Sequence, residues 1–140
     1  MFTDQQTRSR RIEIFDTVSK HLLKQNERAG NNGACAYKTV SMVGTPLSCA
    51  VGCLIPDDVY HRDMEGHYVG ALLSDFPKLA RLFAINLDYH GDVAGEEGFM
   101  TMRLLRELQD IHDGQSTYDW EESLIEIGDD IHGQYGLTVD

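Results

Sequence analysis

The sequence predicts an α+β fold, mostly α-helical, in a single domain over residues 1–140, with a small β-hairpin between the first helix and a buried short helix. Three observations carry this. Apolar residues recur at three- and four-residue steps in several long windows, the spacing of one helix face. Strict alternation is confined to residues 34–40. No internal repeat, low-complexity run or interdomain linker interrupts the 140 residues. A chain of that length buries roughly two thirds of its unfolded surface and needs neither disulfides nor metal to fold.

From Asp4 to Arg28, Ile12, Phe15, Val18, Leu22 and Leu23 form a helical stripe opposite a basic face. Gly30 and the turn-forming Asn31, Asn32 and Gly33 should stop this helix near Arg28. Ala34 to Val40 alternates as a short strand, and the chain can turn back through Met42-Val43-Gly44-Thr45-Pro46. Ser48 can cap a short helix over residues 49–55, which is apolar all round and therefore buried. Within it, Gly52 is best explained by another backbone packed close against it, with the first and last helices as the natural neighbours. Pro56-Asp57-Asp58 ends that run.

Val69 to Leu73 reads as a short helical segment. Asp75 can cap a helix from Lys78 to Asn86 that starts on Pro77 and points Leu79, Leu82 and Phe83 inward. Residues 87–98 read as a long loop. Met102, Leu104, Leu105, Leu108 and Ile111 mark a helix from about Glu96 to His112, closed by Gly114. Ser116 and Asp119 resemble a capping box for a last helix with Trp120, Leu124, Ile127 and Ile131 inward, ended by Gly136.

Composition narrows the function classes. With 41% hydrophobic and 25% charged residues and no run approaching the roughly 20 apolar residues of a membrane helix, a globular protein without membrane contact is expected. The opening Met1-Phe2-Thr3-Asp4 runs into Arg8, Arg10 and Arg11 without an apolar core, so no secretory signal is expected. The formal charge is −11, and such chains repel phosphate backbones, so no direct nucleic-acid binding is expected. Residues 1–30 hold six bases against four acids. From Glu107 onward there are ten acids and no Lys or Arg. That stretch reads either as a solvated face conferring solubility or as a surface for a basic partner site, carried by Glu107, Asp110, Asp119, Glu121, Glu122, Glu126, Asp129 and Asp130.

Catalytic grammar is sparse. Three cysteines without a secretion signal suggest free thiols, although Cys35 and Cys49 could approach across the hairpin. Cys35, Cys49, Cys53 and His61, with His67 nearby, have the donor types of a zinc site, but their spacing matches no paired-ligand pattern and packing outweighs ligation. Cys49 behind Ser48 at a helix start is the alternative nucleophile, with His61 or His67 as base or ligand. His61-Arg62-Asp63, His90-Gly91-Asp92 and His112-Asp113 each set imidazole beside carboxylate. His112 and Asp113 read more simply as a helix-end histidine and a solvated acid. No catalytic residue and no cofactor are assigned.

The segment Cys35-Ala36-Tyr37, the run Cys49-Ala50-Val51-Gly52-Cys53-Leu54-Ile55-Pro56-Asp57 with Tyr60, Met64-Glu65-Gly66, and Leu105 to Asp113 followed by Trp120 together resemble small proteins encoded by bacteriophages and related mobile elements. The resemblance implies a phage context in a bacterial cytoplasm and implies no reaction. The expected function is a noncatalytic modulator that inhibits or redirects a basic host protein, with acidic helices imitating nucleic acid. A small cysteine-dependent hydrolase or metal-dependent enzyme centred on Cys49 is the alternative, and a self-associating homo-oligomer a third reading.

Overall fold

A computed structural model describes residues 1–31 and 34–134. Helix α1 (Asp4–Gln25) starts on a reciprocal capping box: Thr3 Oγ1 accepts the Gln6 N–H and Gln6 Oε1 accepts the Thr3 N–H. It stops earlier than expected, because Asn26 adopts a left-handed conformation (φ 48°) that ends the helix before Arg28, and Gly30 begins a strand instead. The buried stripe is Thr7, Arg11, Ile14, Phe15, Val18 and Leu22, while Leu23 is 44% exposed. The stripe is therefore rotated from the expected one, and Arg11 leaves the basic face for the interior.

Residues 34–40 do not make one strand. Strand β1 (Gly30–Asn31) pairs antiparallel with β2 (Ala34–Cys35), and β3 (Lys38–Val40) pairs antiparallel with β4 (Pro46–Ser48). The break comes at Tyr37, which is buried and has its backbone claimed from elsewhere: its N–H donates to Glu65 Oε1 and its carbonyl accepts the Cys49 N–H. The β3–β4 hairpin lies between α1 and the buried run, as expected, and turns on Gly44 at φ +85°.

Ser48 does not cap a helix. It ends β4, where its N–H donates to Gln25 Oε1 and its carbonyl accepts from Gln25 and His21. The run that follows forms only a 3-10 turn (Gly52–Leu54), whose Gly52 N–H donates to Cys49 Sγ. Its burial is as expected: Cys49, Ala50, Val51, Leu54 and Ile55 are all in the core. The turn packs mainly on α1. The other expected neighbour, the last helix, packs mainly on α1 and α4, with Phe15 against Gly128.

A second 3-10 turn (Arg62–Met64) leads to α2 (Val69–Asp75) and α3 (Pro77–Leu82). Asp75 closes α2 and does not cap α3; its carboxylate accepts instead from His67 Nε2 at 3.0 Å. Helix α3 ends short of Asn86 because Ala84 takes a left-handed conformation (φ 55°), in which its carbonyl accepts from Thr7 Oγ1 at 2.7 Å. After a loop bridged at Leu87 and Val93, α4 (Glu96–Gly114) runs through Gly114. Helix α5 (Thr117–Gln134) turns Trp120, Leu124 and Ile131 inward. Gly136, its expected terminator, lies outside the described residues. One core joins α1 to α4 and α5, and α2 to α3 and α4. Among the described residues, no helix is long and apolar enough to cross a membrane.

Candidate functional site

The three cysteines are free thiols, and the structure separates their environments. Cys49 is 1% exposed; burial pushes its thiol well above the ordinary range, and its sulfur is occupied as an acceptor. That is the opposite of an activated thiolate. Cys53 is half-buried, donates to the Ala50 carbonyl, and is pushed up to about 12 by burial. Of the alternative histidines, His61 is exposed and caps its own turn by accepting the Asp63 N–H on Nδ1, and His67 pairs with Asp75.

Among the described residues, the group of ligand-type atoms that does converge is Cys35, His112 and Asp113, within 4.8 Å of one another. It shares only Cys35 with the set expected from sequence. His112 is the helix-end histidine expected, but it is fully buried and stacks on Trp120 at 5.6 Å between ring centroids, and Asp113 is its hydrogen-bond partner rather than a merely solvated acid. Its Nε2 accepts the Ala29 N–H at 3.0 Å. Because a backbone N–H can only donate, the ring proton must sit on Nδ1, which donates to Asp113 Oδ1 at 2.6 Å. Binding a cation on Nδ1 would put that proton on Nε2, against the Ala29 N–H. The imidazole thus has no lone pair to spare for a metal or for the thiol proton of Cys35. Partial burial and donation to Asp113 both hold Cys35 as a thiol. The cluster clamps the start of β1 to the end of α4.

Asp113 shows what the clamp contributes. Partial burial alone would raise its carboxyl, but hydrogen bonds donated by His112, Cys35 and Gln109 outweigh it and hold the group below its ordinary value. A lowered folded value means that the stabilisation is complete above the unfolded carboxyl range of about 3.9 and is lost as pH falls through the folded value. Asp113→Asn is therefore expected to lower stability by about 1 kcal/mol near neutral pH, a modest figure because the side chain is 39% exposed. Urea midpoints should show the gap between the two proteins narrowing as pH falls below the ordinary carboxyl value; a gap independent of pH would remove the assignment.

The acidic residues divide differently from the expected single surface. Glu107 does not belong to a free field, because it accepts an ion pair from Arg103 at 3.2 Å. Asp110 is exposed on α4, beside the cleft of about 800 Å³ onto which Cys35 and Asp113 open. The remaining six, Asp119, Glu121, Glu122, Glu126, Asp129 and Asp130, all lie exposed on α5, and none takes part in an ion pair among the described residues. Tyr118 (94% exposed) and Ile125 (56%) share that outward face. The periodicity of α5 could have located this face, since Trp120, Leu124 and Ile131 fix its opposite side. No family model, curated protein or solved structure matches the chain.

Proposed function

We propose that the chain is a noncatalytic binding module that engages a basic surface of a protein partner through the outward face of α5, as the resemblance to phage-encoded proteins suggests for a host-directed modulator. The observation that carries the reading is the make-up of that face. Glu122, Glu126 and Asp130 stand at successive four-residue steps, and like charges so placed destabilise a helix by about 0.2–0.5 kcal/mol per pair. The fold gains nothing from them. Solubility explains carboxylates but not Tyr118 and Ile125 in water beside them, whereas aromatic side chains are enriched at protein interfaces. Carboxylates spaced along a rigid helix also suit a site that otherwise takes phosphates, which makes imitation of nucleic acid the mode of binding.

Capture from a bacterial lysate should recover basic proteins that are released as salt rises, because exposed charge pairs are screened within about 10 Å at 0.1 M. The triple variant Glu121→Lys, Glu122→Lys, Glu126→Lys should lose the captured proteins while melting no lower than the parent, since the 122/126 pair stays like-charged and the 126/130 pair changes from repulsive to attractive. Equal capture by parent and variant would overturn the electrostatic reading.

A further inference from the structure

We propose that the outer edge of strand β3 pairs antiparallel with the same edge of a second copy of the chain, with Val40 at the two-fold axis. In the β3–β4 hairpin the Cys49 N–H donates to the Tyr37 carbonyl at 3.0 Å and the Ser41 N–H to the Thr45 carbonyl at 2.8 Å, so the bonded positions of this strand are Tyr37, Thr39 and Ser41. The backbone groups of Lys38 and Val40, which alternate with them, point out of the hairpin. Glu65 Oε2 takes the Lys38 N–H. The Lys38 carbonyl, the N–H and carbonyl of Val40, and the Met42 N–H have no hydrogen-bond partner among the described residues. Read along the strand they run acceptor, donor, acceptor, donor. Turned about a two-fold axis at Val40, that order sets each donor against an acceptor: the two Val40 residues exchange both bonds, and each Met42 N–H meets the Lys38 carbonyl of the other copy.

The two edges of the hairpin are treated differently. On β4, Pro46 has no N–H to offer, and the backbone of Ser48 is bound by Gln25 and His21. Open edges are ordinarily guarded by charge or proline, and β3 has neither. The stretch from Thr39 to Pro56 contains no Asp, Glu, Lys or Arg, and the flanking Lys38 is paired with Asp57 at 3.1 Å. Val40 (61% exposed), Met42 (105%) and Val43 (88%) stand in water along it. Charge and symmetry select the occupant. Copies of a chain with a formal charge of −11 repel one another, and an uncharged stretch is where their approach is least opposed. Glu65 closes the free edge at Lys38, and the turn closed by the Gly44 N–H on the Ser41 carbonyl ends it after Met42. The open groups are thereby centred on Val40, as a two-fold contact requires and a foreign strand does not.

So short a strand pair belongs to the weak class of contacts, below about 1,200 Å², and the test is a concentration series in sedimentation at low and high salt. The mass should rise from 15.8 kDa towards twice that value, and at lower protein concentration in high salt, because screening removes the repulsion between copies. Capture of basic proteins responds to salt in the opposite sense, so the two readings fail independently. Amide exchange followed by NMR identifies the surface: the Val40 and Met42 amides should slow about tenfold or more as the dimer fills, while the Thr39 amide, bonded within the hairpin, does not change. Val40→Lys guards the edge with charge, and Met42→Pro removes a donor at the second position of the turn, where proline is favoured. Each should weaken association about tenfold or more while melting like the parent, since neither residue is in the core. A monomer throughout the series would overturn the proposal. So would a dimer in which the Val40 and Met42 amides exchange as freely as in the monomer, or one that both variants leave intact.

Discussion

Gly52→Ala is expected to lower the stability of the protein by about 3 kcal/mol or more, at the upper end of what a single added methyl does. A Cβ on Gly52 would lie 1.9 Å from the Tyr37 carbonyl oxygen and 2.6 Å from its carbon, both backbone atoms. Neither side can yield cheaply. The Tyr37 carbonyl is the acceptor for the Cys49 N–H, its N–H is bound to Glu65, and its hydroxyl donates to the His67 carbonyl. Gly52 in turn is held by the hydrogen bond to Cys49 Sγ. Moving either strand of this contact breaks hydrogen bonds that tie the hairpin to the buried turn, and buried donors left unpaired cost about 1–3 kcal/mol each. The control is Gly114→Ala, in the last turn of α4 with open space around it, where the same methyl should change stability by no more than about 1 kcal/mol, in the stabilising direction. Urea unfolding of both variants decides the matter: a Gly52→Ala midpoint equal to that of the parent would mean that the close approach does not exist.

Removing the partner of the buried guanidinium should have an effect of similar size. Arg11 is 2% exposed, and its two terminal nitrogens donate to the Glu97 carbonyl, the Glu97 carboxylate and Thr101 Oγ1 at 2.8–3.1 Å. Burial pulls the guanidinium below its ordinary value and Glu97 opposes that pull. Glu97→Ala leaves a buried cation with its carboxylate gone, for which about 3–5 kcal/mol is expected. Adding Arg11→Met to that variant should recover part of the loss, because an apolar side chain of comparable reach needs no counter-charge in the same space. If the double variant is less stable than Glu97→Ala alone, the guanidinium is held by its other partners, Thr101 and the Glu97 backbone carbonyl among them, and the ion pair is not what stabilises it.

How far these contacts could be read from the residues depends on how far apart the partners lie. Helix starts and apolar faces are set within about four residues, which is why Pro77 at the first turn of α3 and Trp120 and Leu124 facing inward on α5 follow from spacing alone. The burial of residues 49–55 was legible for the same reason, and Gly52 within it signalled a close neighbour without naming Tyr37. Competition between neighbouring signals was harder: Asn26 and Gly30 can both end a helix, and in the structure Asn26 does so, three residues before Ala29 donates to His112. Asp75 can cap α3 as readily as it can accept from His67, and only the placement of the loop before α2 selects the second.

What the sequence by itself determined is the class of the protein: mostly helical, with a hairpin after the first helix and an acidic last helix whose inner face is apolar. The tertiary structure decided which polar groups went inside. Arg11 meets Glu97 across 86 positions, and His112 meets Ala29 across 83. Neither pair has a local signature, because a charged or imidazole side chain has the same short-range preferences whether it ends in water or in the core. Only the packing of α1 and of the segment leading into β1 against α4 brings each donor to its acceptor, and the cost of an unpaired buried group then makes the pairing obligatory.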